Sequence, residues 1–567
     1  MPNLNDVPPW QQPYPFWFWN GEMDADEIRR QIGLMREAGI TEFVIHGRTG
    51  LQTPFLSDAW FDAARAAVEE AARRGMRAWI YDEYNWPSGT ANSTITADPA
   101  MREHYRAEDG TLRPTLHPWY GHVSVDYLNP ACADAFIAAC YQSYYDRFAD
   151  FFGTTIPGFF NDEPRFATAY PWSLALGEPP RETAEYRRAL GEAMARNHFR
   201  RIRAWCDDHR ALFTGHMMGE ETLGSQTRYM GNAWETTSCY HWPGVDHLGP
   251  SASGQHPRLA ASIAHLAGER AVTCETFAGC PWECTPRDLY RIAGWLYANG
   301  VTKLLFHGFF YTREGEAAQD WPPDLFFRWE GWSAMPAFVQ WAGRVQYFLA
   351  RAIPRAAVAL YYPYEEFIPD FRPDPQYTLG YTDASPVLGD DARAWHLAFG
   401  DLMAAMLARG IDVDIVPAGL LGRVADRILV APLLSEPAFA GTLLRQGERS
   451  AEACVEELDR LLGRRVRVTG EGAAPRPRPI SPRLSDPYIH QGEDDGGVWV
   501  SEFRFEGRPA VMLWNANAGA FTGAVDLVER RAWSAWTPAD GRVQPLGTRD
   551  TADIALPGYS MTVIVGA

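Results

Sequence analysis

From residue 14 to about 310, short apolar runs alternate with stretches in which apolar residues recur every three to four positions. That is the pattern of repeated strand–helix units around a parallel sheet. The first run is Phe16-Trp17-Phe18-Trp19, and a helix is predicted over about 25 to 38, with Ile28, Ile32 and Met35 on one face. Asp24 is its candidate N-cap, Glu27 the capping partner, and Gly39 the stop. Phe43 to Ile45 forms the second strand, with a helix over 58 to 74, and Ala78 to Tyr81 the third, with a helix over 130 to 150. The remaining strands are Ile156 to Phe160, Ala211 to Thr214, Gly244 to His247, Ala271 to Cys274 and Thr302 to Phe306. Eight such units in about 300 residues predict an α/β fold of the (β/α)8 TIM-barrel type.

Nearly every predicted strand ends in a polar or ionisable residue: Asn20, His46, Asp82, Asp162 with Glu163, His216, Asp246, Glu275 and His307. Strand ends are where any chain turns polar, but a barrel gathers all eight C-terminal ends around one mouth, where barrel enzymes keep their chemistry.

After a helical stretch near 331 to 350, the run Ala356 to Leu360 opens a second α/β pattern, continued by a helix near 392 to 409 and the runs 412 to 416 and 428 to 431. No GxGxxG or P-loop follows its first strand, so it reads as an accessory domain. The strand-like alternation from about 495 predicts a small β-sandwich. The expected division is 1–350 catalytic barrel, 351–472 accessory α/β domain, 473–494 Pro/Arg-rich linker and 495–567 β-sandwich.

Charge narrows the function. A net charge of −19 with no basic run argues against nucleic acid. The absence of any long apolar window or basic-then-apolar N-terminus predicts neither a membrane span nor an export signal, and a cytoplasmic location. Eight cysteines without a CxxC pair predict neither a disulfide framework nor a zinc knuckle. The 22 tryptophans suit a site that stacks on flat apolar faces such as sugar rings.

Cleavage of a glycosidic bond needs one acid to protonate the leaving oxygen and a second carboxylate as nucleophile or base. Glu163 on the fourth strand and Glu275 on the seventh lie on roughly opposite sides of an eight-stranded ring and are the candidate catalytic pair. Asp162 beside Glu163 would disfavour its ionisation and keep it protonated. Asp82, Glu83, Asn161 and Asp246 would bond sugar hydroxyls, His46, Arg48, His216 and His307 would donate or accept, and Trp86, Trp242 and Trp282 would stack on a ring.

Several stretches then resemble one family: Pro15-Phe16-Trp17-Phe18-Trp19-Asn20-Gly21, Tyr81 to Gly89, Glu275-Thr276-Phe277-Ala278-Gly279, Thr285 to Leu289, and Gly300-Val301 with His307 to Tyr311. Together they are similar to the barrel of the α-L-rhamnosidases of glycoside hydrolase family 106, over residues 14 to 315. The resemblance implies a glutamate acid and a glutamate partner, matching Glu163 and Glu275, and a calcium ion near the sugar. The chain is shorter than members of that family, and its domain order looks like the β-galactosidases of family 42.

The expectation is an exo-acting glycoside hydrolase releasing a terminal rhamnose-like monosaccharide from a small glycoside or oligosaccharide, with oligomers possible. The alternatives are a retaining β-galactosidase-like enzyme and a non-catalytic carbohydrate-binding protein, although the latter would normally lose one glutamate. A metal-dependent barrel hydrolase would need an HxH pair, where this chain has His46-Gly47-Arg48.

Overall fold

The structure is a computed structural model of the 567-residue chain; it describes residues 4–115, 118–119, 122–252, 256–373, 389–463, 465–475 and 496–567. Eight parallel strands close into a barrel: β1 Tyr14–Trp19, β2 Glu42–Gly47, β3 Arg77–Tyr84, β4 Gly158–Asp162, β5 Leu212–His216, β6 Trp242–His247, β7 Thr273–Thr276 and β8 Lys303–Phe310. Each strand pairs with its sequence neighbours and β1 pairs with β8, as a right-handed βα series requires.

The aromatic run of β1 shows why the sequence folds this way. Side chains alternate across a strand, so Tyr14, Phe16 and Phe18 point into the barrel, where they pack with Trp79, Tyr81, Phe160 and Phe310. Trp17 and Trp19 face outward against the helices, and Trp17 Nε1 donates to Gln31 Oε1 on the first helix, Ala25–Glu37. Each fully buried ring contributes about 1.5–3 kcal/mol relative to leaving it in water. Asp24 caps that helix, accepting from the Asp26 and Glu27 amides. The Glu27 side chain does not close a capping box; it bonds Arg30 and Gln31.

The accessory unit is a four-stranded parallel sheet of Val413–Val416, Val358–Tyr361, Ile428–Ala431 and Thr442–Arg445, in that order. It docks on the barrel helix Pro257–Ala267: Ser262 Oγ accepts from the Ile415 amide, and His265 meets Asp414 at 2.8 Å. The C-terminal unit is antiparallel as expected, and its strands bond into one seven-stranded sheet. Two members come from outside the predicted range, Ala352–Pro354 and Arg467–Thr469. The 17-residue strand Phe521–Thr537 breaks register between Asp526 and Arg531; one edge pairs with Arg542–Leu556 on both sides of the break, and the other pairs with Arg467–Thr469 before it and Met561–Gly566 after it. That bend lets a single sheet wrap its own core. The sheet packs on the helix Pro286–Ala298 so closely that a Cβ on Gly294 would lie 2.1 Å from Trp514 Nε1. Most of the predicted linker, residues 476–494, lies outside the described residues.

Among the described residues, no helix is long and apolar enough to cross a membrane.

Candidate active site

At the C-terminal mouth of the barrel lies a cleft lined by Arg48, Trp86, Asp162, Glu163, Asp246, Leu248, Glu275, Ala278, His307 and Trp321. β4 delivers its carboxylates in two ways. Asp162 is the last strand residue, and its Oδ2 accepts from Tyr81 OH at 2.6 Å. Glu163 turns out of the strand with φ 45°, a left-handed conformation uncommon for a residue with a Cβ, and its amide is held by His216 O at 3.1 Å. Pro164 follows, so the turn cannot continue the sheet.

His216, at the end of β5, is the hub. Its Nε2 lies 3.0 Å from Asp162 Oδ1 and 3.7 Å from Glu275 Oε2. Glu163, His216 and Asp246 form a second close group, with one polar atom from each within 4.8 Å of the others. Burial works against a charged imidazole, but Asp162, Asp246 and Glu275 outweigh it and hold His216 well above its ordinary value. The carboxylates respond in the opposite sense. Burial first, then Asp162 and Asp246, push Glu163 up to about 8, while Arg165 and His216 pull it down. Burial and the coulombic effect of Asp162 raise Asp246 to about 7. Burial also raises Glu275, followed by Asp246 and Asp162, with His216 and Arg48 opposing. The mouth therefore stores at least one proton near neutrality among carboxylates too crowded to ionise together.

The opposite wall is cationic and aromatic. Arg48 is buried, with Nε donating to Asp320 Oδ2 at 2.7 Å and Nη2 lying 3.4 Å from His307 Nε2. Its guanidinium lies over the rings of Trp86 at 4.3 Å and Phe18 at 4.7 Å. Two buried atoms of cleft-lining side chains, Asp246 Oδ1 and His307 Nδ1, have no hydrogen-bond partner among the described residues. Such atoms are costly unless a ligand or water satisfies them.

Eight residues predicted from the sequence thus come together: Arg48, Trp86, Asp162, Glu163, His216, Asp246, Glu275 and His307. Five do not line the cleft. Asp82 is consumed by Ser88, Tyr141 and Asn161, and Asn161 by Asp82 and Tyr240. Glu83 gathers the amides of Tyr84, Thr90, Ala91 and Asn92, holding a loop in which Ala91, Asn92 and Ser93 are all left-handed. His46 lies under the floor, stacked on Tyr81 at 3.4 Å with Nδ1 donating to Gly47 O, and burial then Arg48 hold it well below its ordinary value. Trp282 lines a neighbouring groove with Arg313 over its ring at 3.8 Å. Trp242, considered as a stacking residue, begins β6 at the far end of the barrel, against Trp79.

Sequence reading missed Asp320, Trp321, Leu248 and Ala278, which carry no periodic signal, and Glu220. Glu220 accepts from the amides of Met217 and Asp246, tying the β5 loop to β6.

The calcium implied by family resemblance meets a donor set centred on a histidine. Both close groups of possible ligands among the described residues need His216, whereas calcium takes six to eight oxygens. These two groups do not fit that ion.

Residues 181–377 match the family model described as alpha-L-rhamnosidase. The chain is glycoside hydrolase-like. The matched stretch contains Glu275 but not Glu163. This glycoside hydrolase-like chain is also 24% identical over 272 residues to a candidate beta-glucuronidase of Formosa agariphila, covering 41% of this chain and 22% of that one. It thus spans about a fifth of the length of that curated relative.

Among solved structures it resembles in fold the rhamnosidase from Novosphingobium sp. PP1Y, with TM-score 0.68, 12% identity, and coverage of 100% of this chain and 83% of that one. It also resembles the beta-galactosidase from Bacillus circulans sp. alkalophilus, with TM-score 0.59, 11% identity, and coverage of 98% and 99%. The family resemblance read from the motifs, the barrel and the galactosidase-like extent all stand.

Proposed function

We propose that the protein is an exo-acting glycoside hydrolase that releases a terminal rhamnose-like monosaccharide, with Glu163 as general acid and Glu275 as base or nucleophile. The observation that supports this most is the placing of both glutamates in one small cleft, each near the same charged histidine, with Glu163 pushed up to about 8.

A carboxyl so raised is protonated at neutral pH and can give its proton to the glycosidic oxygen as the C1–O bond breaks and the electron pair leaves on that oxygen. Glu275 is the second carboxylate. It either attacks C1 directly or takes a proton from the attacking water. Burial, Asp246 and Asp162 hold Glu275 above its ordinary value, with His216 at 3.7 Å and Arg48 opposing, so it serves as base or nucleophile only in the form of the cluster in which its proton has been lost to the other groups or to water. Asp246 Oδ1 and His307 Nδ1 are suited to sugar hydroxyls, and Trp86 and Trp321 to the ring.

The test is a panel of aryl glycosides differing in sugar and anomer, run on the wild type and on Glu163→Gln and Glu275→Gln. Both variants should lose turnover, and near-wild-type activity in either would overturn the assignment. NMR of the first-formed anomer of the best substrate then assigns retention or inversion, which follow from carboxyl separations of ~5–5.5 Å or ~6.5–9.5 Å. A retaining, galactosidase-like outcome would match the second group of similar folds.

A further inference from the structure

β5 pairs with β6 at Thr214 with Trp242 and at Gly215 with Pro243, and there the register stops. Beyond that level a side chain joins the two strands. Glu220, four residues past His216, accepts from the Met217 amide on Oε1 at 2.7 Å and from the Asp246 amide on Oε2 at 2.9 Å. Glu220 is held in turn: Gln226, on the helix Leu223–Met230, donates through Nε2 to Glu220 O at 2.7 Å, and Gln226 Oε1 accepts from Tyr362 OH at 2.8 Å. Tyr362 does not belong to the barrel; it follows the strand Val358–Tyr361 of the accessory unit. A second accessory residue, His396 on the helix Asp390–Ala408, accepts through Nδ1 from the Gly224 amide at 3.3 Å, one of the first-turn amides that a helix leaves without an internal partner. Glu220, Gln226, Tyr362 and His396 are all buried, where solvent does not repair a lost bond.

We propose that the accessory unit sets the geometry of the barrel mouth, with Tyr362 as a positioning residue that acts through Gln226 and Glu220 to hold Asp246 against His216 and Glu163. No accessory residue lines the cleft itself. The effect on turnover rests on the glycosidase reading above; the tie between the two units does not. The amide of Gln226 is committed at both ends, so the Tyr362 hydroxyl fixes the orientation in which Nε2 faces Glu220 O. Without that hydroxyl, Gln226 Oε1 is a buried acceptor with no donor, and the contact that fixes the Glu220 backbone loosens. The Glu220 carboxyl then no longer meets the Met217 and Asp246 amides at a set distance. One polar atom each of Glu163, His216 and Asp246 lies within 4.8 Å of the others, and a site this close is sensitive to displacements of about 1 Å. An accessory unit that only covered apolar barrel surface would have no use for directional bonds to the one helix that supports Glu220.

The test compares two hydroxyls of the same unit. Tyr362→Phe removes one oxygen and keeps the ring, which stacks on Tyr364 and meets Phe399 edge-on. Tyr364→Phe is the control, since its buried hydroxyl bonds Arg187 O at 3.3 Å and not Gln226. Amide hydrogen exchange of the full chain is followed by mass spectrometry in the peptides that contain Met217 and Asp246, together with KM and kcat on the best aryl glycoside of the panel. Tyr362→Phe should exchange roughly three- to tenfold faster in both peptides, the size of one lost buried bond. KM should rise by a similar factor with kcat within about twofold, because Asp246 is placed to bond the sugar. Tyr364→Phe should match wild type in both readouts. In a Gln226→Met background, where the relay is already cut, Tyr362→Phe should add nothing. Unchanged exchange in Tyr362→Phe, equal acceleration in Tyr364→Phe, an undiminished effect in the Gln226→Met background, or faster exchange with an unchanged KM would each overturn the inference. The two tyrosines decide the question even if Gln226→Met fails to fold. If no glycoside is turned over, the glycosidase reading fails, while the exchange comparison still decides whether the accessory unit holds the mouth.

Discussion

The barrel carries two tandem carboxylate pairs on adjacent strands, Asp82-Glu83 at the end of β3 and Asp162-Glu163 at the end of β4. In sequence the two look alike: each follows aromatic or apolar strand residues and precedes a loop. In the structure they have opposite fates. Every oxygen of Asp82 and Glu83 is taken by side chains or amides of the protein itself, and neither residue lines the cleft. Asp162 and Glu163 face the cleft, paired with His216 and Arg165. What separates a structural pair from a chemical one is the following loop. The β3 loop folds back to present its amides to Glu83, whereas Pro164 carries the chain away from Glu163.

The comparison is sharpest when each pair is broken in turn. The largest effect belongs to the β4 pair: Glu163→Gln and Glu275→Gln should each lower kcat on a natural glycoside by about 10²–10⁴-fold. Thermal unfolding of Glu163→Gln should stay at or above wild type, since a neutral amide removes a buried carboxyl without emptying its site. Replacing Glu83 should do the reverse. Glu83→Ala strands four amides, those of Thr90 and Ala91 on buried residues, and should cost about 3 kcal/mol, read as a lower midpoint in urea. A Glu83→Ala protein of wild-type stability would erase the distinction between the pairs.

A smaller and more diagnostic effect concerns pH. An acid with a pKa of about 8 is active while protonated, so kcat/KM should fall as pH rises through about 8. That limb should be absent in Glu163→Gln. The smallest expected change is in Asp162→Asn: removing the neighbouring negative charge favours ionisation of Glu163, so the limb should move to lower pH. A shift to higher pH would show that Asp162 acts on Glu163 mainly through His216.

The strands were legible because alternation and strand-end polarity are local properties, and β1 to β8 fall within a few residues of their predicted places. The catalytic candidates were legible for the same reason, as ionisable residues at the ends of strands that a barrel must gather. The fate of Asp82 and Glu83 was not legible, because it depends on amides up to nine residues away whose direction is set by three left-handed residues. Asp320 and Trp321 lie ten or more residues past β8 in a loop without periodicity, and Leu248 and Ala278 look like ordinary apolar residues until the loops bring them side by side. Ala352–Pro354 and Arg467–Thr469 joined the C-terminal sheet unannounced, since three residues are too few to show alternation.

The aromatic packing inside the barrel has one more consequence. Phe16, Phe18, Tyr81, Phe160 and Phe310 close the floor beneath the acidic cluster. The mouth through which the sugar also enters is then the open side from which solvent protons reach Glu163 and Glu275 among the described residues. A seated sugar is a stopper as well as a substrate. While it stays, the cluster works with the protons it held on closing and with those of the attacking water.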